Sequence, residues 1–270
     1  MGRRSSFVAR RAGTYLLIVA VSLITSAHLI AAEAFRIETK IFVGDAKDKK
    51  KSDAVSKTTT LLQNGVVYDF LENPEQTAVF RKPTGGKAGR FVLLNDKDRI
   101  QTEISTEKLA SAMKDLRKWA AGQKDPFLQF AASPRFDETF DRSEGKLVLS
   151  SQFETYTVET SPVDQHQDSL GDYREFLDWY TQLNTLLTSP IPPDPRLKLN
   201  DALMRHKVVP TIVELKRAGE ETLRAEHDFT WRLSQADLQR IEDVQSGLTS
   251  YKDVDNKEFL QMSQPVAAAK

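Results

Sequence analysis

Six consecutive segments between residues 35 and 105 have the pattern of β-strands, and short polar turns separate them. In Phe35–Val43, apolar side chains recur on one face at a period of two. Asn64 and Gly65 separate two further β-rich segments, and this dipeptide favours a hairpin because both turn positions need positive φ angles. A chain that reverses direction so often is predicted to form an antiparallel meander rather than the alternating β and α units of a parallel sheet.

Helical patterns follow the meander, with apolar residues recurring every three or four positions. Helices are predicted over 106–122, 171–187, 199–206 and 235–248. The second of these is the most aromatic, since Tyr173, Phe176 and Tyr180 share one of its faces. Packing against the sheet is one interpretation of that aromatic face, and covering an apolar groove is another.

The segment 223–233 alternates between apolar or aromatic residues and polar ones. His227, Phe229 and Trp231 belong to the apolar set, so the segment is predicted to be a long strand with one buried and one wet face. Together these patterns predict an α+β fold. We expect a large antiparallel, curved sheet (a meander) with three or four helices packed on one face.

The first 34 residues have the composition of an export segment. Four arginines precede an uncharged stretch over 12–32, and small residues follow it. A cleaved signal peptide and a retained N-terminal membrane anchor both fit, because the stretch is long for a signal but its second half is diluted by polar residues. In either case we predict a single exported domain over 35–262, in the periplasm, the cell envelope or the medium, followed by a disordered tail over 263–270.

Composition excludes several kinds of chemistry. The chain has no cysteine, which excludes disulfides, a thiolate nucleophile, a cysteine metal site and a lipid-modified cysteine. Beyond residue 32 it carries 34 basic and 38 acidic residues, a balance that does not predict a nucleic-acid partner. No motif for a cofactor or a metal is present, and we predict neither. The membrane is a predicted partner only through an uncleaved N-terminal segment.

Catalytic motifs are also absent from the sequence. There is no H-E-x-x-H metallopeptidase motif and no G-x-S-x-G esterase elbow. His166 lies in a polar loop and His227 on the apolar face of the 223–233 strand, and each leaves a structural and a catalytic interpretation open. A hydrolase would need one of these histidines in a cleft beside carboxylates, with a perturbed pKa.

Four stretches of the sequence resemble an uncharacterised family of bacterial exported proteins. They are Thr60-Leu-Leu-Gln-Asn-Gly-Val-Val-Tyr-Asp-Phe70, Arg90-Phe-Val-Leu-Leu94, Tyr173-Arg-Glu-Phe-Leu-Asp-Trp-Tyr-Thr-Gln-Leu-Asn184 and Pro192-Pro-Asp-Pro-Arg-Leu-Lys-Leu-Asn200. The family implies no activity and no catalytic residues. Separately, the order of elements is similar to that of the LolA-type periplasmic lipoprotein carriers, which implies a sheet curled around helices to form an apolar cavity.

Three functional hypotheses follow from the sequence. The first is a non-enzymatic binding protein for a lipid or acyl chain, held in a groove between sheet and helix. Its candidate ligand-binding residues are Tyr173, Phe176, Tyr180, Phe229 and Trp231. The second is a membrane-anchored structural or interaction protein with a partner in the cell envelope, which predicts an exposed apolar patch. The third is a hydrolase with an unrecognised site.

Overall fold

The predicted meander forms one half of a twelve-stranded sheet. The computed structural model describes residues 34–44, 53–72, 75–163 and 166–263. The strands are β1 Phe35–Val43, β2 Ser56–Gln63, β3 Val66–Glu72, β4 Glu75–Arg81, β5 Arg90–Asn95, β6 Ile100–Ser105, β7 Asp137–Asp141, β8 Lys146–Ser150, β9 Glu154–Pro162, β10 Val208–Arg217, β11 Leu223–Thr230 and β12 Lys252–Asp253. The helices are α1 Thr106–Ala121, α2 Pro126–Ala132, α3 Gln167–Thr188, α4 Asp194–His206, α5 Gln235–Gly247 and α6 Asn256–Ser263.

The spatial order of the strands is β12-β6-β5-β4-β3-β2-β1-β11-β10-β9-β8-β7. All neighbours pair antiparallel except β12 and β6, which are parallel. The predicted α+β class with a large antiparallel sheet is therefore confirmed. β1 joins the two halves of the sheet, since it pairs with β2 on one side and β11 on the other. This pairing places β1 beside β11, whose residues come almost 200 positions later in the sequence.

Helices cover both faces of the sheet, whereas the sequence predicted helices on one face. α3 packs against a core that contains Phe35, Phe80 and Phe91. α5 packs on the opposite face of the meander through Ile241, which contacts a separate cluster that includes Tyr68. Strands β2 to β4 have apolar residues on both sides at their centres, so neither face can be left in water.

Local predictions match the structure at the turn between β2 and β3, and they differ from it at the start of α4 and at the start of β11. Asn64 and Gly65 have φ angles of 53° and 71°, as the predicted hairpin turn requires. α4 begins at Asp194, five residues before the predicted start, because proline is tolerated in the first turn of a helix and Pro195 therefore does not stop it. At the start of β11 the predicted alternation is wrong, since Leu223 is 40% exposed and Arg224 is 8% exposed.

Three elements had no clear signal in the sequence: α2, β12 and α6. The predicted export segment lies outside the described residues apart from Ala34, and the predicted tail lies outside them from residue 264 onward. The predicted boundaries of the exported domain therefore stay predictions. Among the helices that the structure describes, none combines the length and the hydropathy that crossing a bilayer requires.

Candidate functional site

A cavity of about 560 Å³ lies between α3 and the centre of the sheet. Strands β1, β2, β3 and β11 contribute its floor, and α3 covers it. The proline-rich segment between α3 and α4 closes one side, through Ile191, Pro192, Pro193 and Pro195. The cavity therefore lies where the two halves of the sheet meet at β1 and where the predicted aromatic helix crosses them.

One face of α3 lines the cavity along almost its whole length. The contributing positions recur every three or four residues, as the geometry of a helix requires: Tyr173, Phe176, Leu177, Tyr180, Thr181, Asn184, Thr185 and Thr188. The face is aromatic at its N-terminal end and polar at its C-terminal end. A ligand along this helix would therefore meet an apolar surface at one end and hydroxyl and amide groups at the other.

The floor of the cavity follows directly from the strand register. His227 of β11 pairs with Thr39 of β1, which in turn pairs with Thr58 of β2. Ala225 and Ile41 form the next inward-facing pair along β11 and β1. Side chains two residues apart point to the same face of a strand, so these rows present alternating hydroxyl and apolar groups to the cavity.

A buried carboxyl group forms part of the cavity wall. Asp69 of β3 is 3% exposed and accepts a hydrogen bond of 2.5 Å from the hydroxyl of its strand neighbour Thr60. The hydroxyl of Tyr180 on α3 donates a second hydrogen bond to it. Burial raises the pKa of Asp69 in spite of these two donors. The arrangement ties α3 to the sheet.

A second cavity, of about 310 Å³, lies along the same helix. It is lined by α3, strands β3 to β5, and Phe259 and Leu260 of α6. Asp69, Leu71 and Tyr180 belong to the walls of both cavities. The hydrogen-bonded pair of Asp69 and Tyr180 thus stands between two spaces under one helix.

Two arginines line the larger cavity, and their surroundings differ. Arg217 forms an ion pair of 2.7 Å with Glu154, whose side chain is fully buried. Arg196, in the first turn of α4, forms no ion pair and no hydrogen bond with any other residue that the structure describes. A guanidinium group without an acceptor in a partly enclosed space is uncommon, because arginine carries five donors.

His227 is held as a neutral imidazole. Its Nδ1 lies 2.9 Å from the hydroxyl of Thr39, and its Nε2 is buried without a hydrogen-bond partner among the described residues. Burial, together with the positive charge of Arg196, lowers the pKa of His227 to about 3. No carboxylate lies within hydrogen-bonding distance of the ring among the described residues, so the arrangement lacks the partner that orients a catalytic base.

The structure brings three of the five predicted site residues to the cavity. Tyr173, Phe176 and Tyr180 line it. Phe229 and Trp231 do not belong to its walls, and they pack instead beside it, with ring centroids 5.9 Å apart. Trp231 stacks on His166, at 4.4 Å between centroids, and both aromatic residues support the core around α3.

The polar part of the site was not predicted from the sequence. Asp69 carried a usable signal, because a charged residue at the centre of an otherwise apolar strand is costly unless it is paired or neutral. Thr39 and Thr58 carried a weaker one, as inward-facing hydroxyls on neighbouring strands. Arg196 carried none, since its surroundings depend on the packing of the proline-rich segment against α3 and the sheet.

No protein-family model matches this chain, and no curated protein matches it. Within the described part of the chain, no group of three or more histidine or acidic side chains is placed to hold a metal ion. The function is therefore argued from the cavity itself. Its relevant features are its volume, its apolar and aromatic walls, and the one arginine on its walls that lacks a partner.

Proposed function

We propose that this protein is an exported, non-enzymatic binding protein that holds a lipid or acyl chain in the cavity under α3. The single observation that carries the proposal is the 560 Å³ space between an aromatic helix face and the sheet. Small-molecule sites typically enclose about 300–1,000 Å³ and have largely apolar walls with a few polar groups. Here Ile41, Leu71, Phe176, Leu177 and Ala225 supply apolar surface.

The second cavity supports a ligand with an extended chain. Both spaces run along α3 and have walls in common at Leu71 and Tyr180. A long, narrow ligand extends in one direction, and a helix lying across a sheet offers such a direction, with the Asp69–Tyr180 pair between the two spaces. The similarity in element order to LolA-type carriers supports the same proposal, as an analogy of architecture.

The chemistry of the walls favours binding over catalysis. A general base works best with a pKa near the operating pH, and His227 has a pKa far below that range. Its hydrogen-bonded neighbour is the hydroxyl of Thr39 rather than a carboxylate. His166 stacks on Trp231 beside the core. The hydrolase and the envelope-interaction hypotheses remain alternatives that the experiment below addresses.

Native mass spectrometry of the protein, expressed as the full chain in its own host and purified gently, tests the proposal. We expect an adduct of lipid mass on the wild-type protein. Ala225→Phe should remove this adduct, because a phenyl ring at this wall position fills space that the ligand needs. Ala218→Phe is the matched control: it makes the same change at an exposed position near the β10–β11 turn and should leave the adduct in place.

Circular dichroism establishes that both variants remain folded. A wild-type protein without any adduct, which also fails to bind added dodecanoate, would contradict the proposal and favour the envelope-interaction hypothesis. An adduct that survives Ala225→Phe at the wild-type level would place the ligand elsewhere and would equally contradict it. Turnover of an added ester that is lost in His227→Gln would favour the hydrolase.

A further inference from the structure

One charged group on the walls of the larger cavity lacks a partner. Asp69, the carboxylate among the described wall residues, accepts hydrogen bonds from Thr60 and Tyr180. Arg217 is paired with Glu154, at 2.7 Å. Among the described residues, the guanidinium of Arg196 is thus the charged group on these walls that forms neither a hydrogen bond nor an ion pair.

A hydroxyl group on another wall of the same cavity is also without a partner among the described residues. Tyr173 is 6% exposed, yet its hydroxyl forms no hydrogen bond with another described residue and is not among the polar atoms sealed from solvent space. Burial raises the pKa of Tyr173, the charge of Arg196 acts in the opposite direction, and the charge of Asp69 raises this pKa further. The hydroxyl therefore stays protonated and is available as a donor.

The start of α4 adds positive electrostatic potential to the cavity. Pro192, Pro193 and Pro195 line the cavity, so the N-terminal end of a 13-residue helix faces it. The residue at the N-cap, Pro193, offers no side-chain acceptor. The first turn of a helix carries partial positive charge, which favours an anion nearby. Arg196, itself in this turn, strengthens the same preference, and the acidic residue of the turn, Asp194, is paired with Arg117 at 2.8 Å.

We infer that the cavity selects a ligand with an anionic head group, a carboxylate or a phosphate, that accepts hydrogen bonds from the guanidinium of Arg196 and the hydroxyl of Tyr173. The inference rests on the proposed function and names its ligand class: an amphipathic anion with an apolar chain. The chain lies along Phe176 and Leu177, which follow Tyr173 on the same face of α3. Arginine recognises carboxylate and phosphate through paired donors, so an uncharged head group would leave the arginine without its acceptor.

Isothermal titration of the full chain with three twelve-carbon ligands tests the inference. Dodecanoate and dodecyl phosphate carry anionic heads, and 1-dodecanol has the same chain without charge. We expect at least one anion to bind about tenfold or more tightly than the alcohol. Dodecanoate binding tighter would assign the head group to a carboxylate, and dodecyl phosphate binding tighter would assign it to a phosphate.

Arg196→Gln should weaken binding of the anion more than binding of the alcohol and so remove most of this preference. Lys198→Gln is the matched control, because it removes the same charge from an exposed position on α4. Tyr173→Phe should weaken binding of the anion by a smaller factor, since it removes one neutral donor. Equal binding of anions and alcohol by the wild-type protein, unchanged in Arg196→Gln, would overturn the inference and leave the proposed function standing. Failure of all three ligands to bind would contradict the proposed function itself.

A second measurement needs no variant and therefore does not depend on how Arg196→Gln folds. Dodecanoate labelled with ¹³C at its carboxyl carbon reports its own ionisation by NMR when bound to the wild-type protein. A neighbouring guanidinium lowers the pKa of a carboxyl group, whereas an apolar site without a cation raises it. We expect the pKa of the bound carboxyl group to lie below its value in water. A raised pKa would overturn the inference.

Discussion

Replacing Phe91 with alanine is expected to lower the free energy of unfolding by about 3–5 kcal/mol. Phe91 is fully buried near the start of β5, where its ring lies 4.7 Å from that of Phe80 between centroids. It also contacts the rings of Phe176 and Tyr180 on α3, at 6.4 and 6.2 Å. Removing it would leave a void at the contact between the sheet and the helix that covers the cavity.

Urea unfolding followed by far-UV circular dichroism measures this loss as a shift of the midpoint at constant slope. Trp119→Ala is the control, because Trp119 is 48% exposed on α1 and a surface substitution of this kind usually changes stability by about 0.5 kcal/mol or less. A loss of less than about 1 kcal/mol for Phe91→Ala would mean that α3 does not depend on this aromatic contact, contrary to the packing described here.

Acid should destabilise the protein through His227. Its pKa is about 3 in the folded state, and an unfolded histidine has a pKa of about 6.5. Between these values the unfolded chain binds the additional proton, so the free energy of unfolding falls by up to about 1.4 kcal/mol for each unit of decreasing pH. From pH 7 to pH 4 we expect His227 to account for a loss of about 3 kcal/mol.

His227→Gln isolates this contribution, since glutamine does not titrate. The measurement is the difference in free energy of unfolding between wild type and variant, taken from urea titrations at pH 7 and at pH 4. We expect the difference to shift by about 3 kcal/mol in favour of the variant at pH 4 and to stay constant between pH 7 and pH 9. A difference that does not depend on pH from 7 to 4 would show that the imidazole is not buried as a neutral group.

Local patterns in the sequence were sufficient for much of the fold. The bounds of β1 were predicted to the residue, because its apolar side chains recur at a period of two. α1 was predicted within one residue, since Ser105 accepts a hydrogen bond from the backbone of Lys108 as an N-cap. These elements are determined by interactions over a few residues, which a sequence pattern can represent.

The remaining features depend on contacts between distant parts of the chain. The pair of Thr39 and His227 spans 188 positions and exists only because β1 and β11 are neighbours in the sheet. Which face α5 covers depends on the two-sided apolar strands beneath it. Whether Arg196 finds a hydrogen-bond partner depends on how the walls of the cavity come together. The aromatic half of the site was predictable from helical spacing, and the charged half was not.

The most direct test of the central claim is to find where an acyl chain lies when it is bound. Isotope-filtered NOE spectra of the full chain, with ¹³C-labelled methyl groups and unlabelled dodecanoate, report contacts between ligand and protein. We predict cross-peaks from the chain to the methyl groups of Ile41, Leu177 and Ala225, which line the cavity, and none to Leu149 in the separate core beneath α4. Cross-peaks confined to methyl groups outside the cavity walls, or no cross-peaks from a saturated sample, would contradict the account.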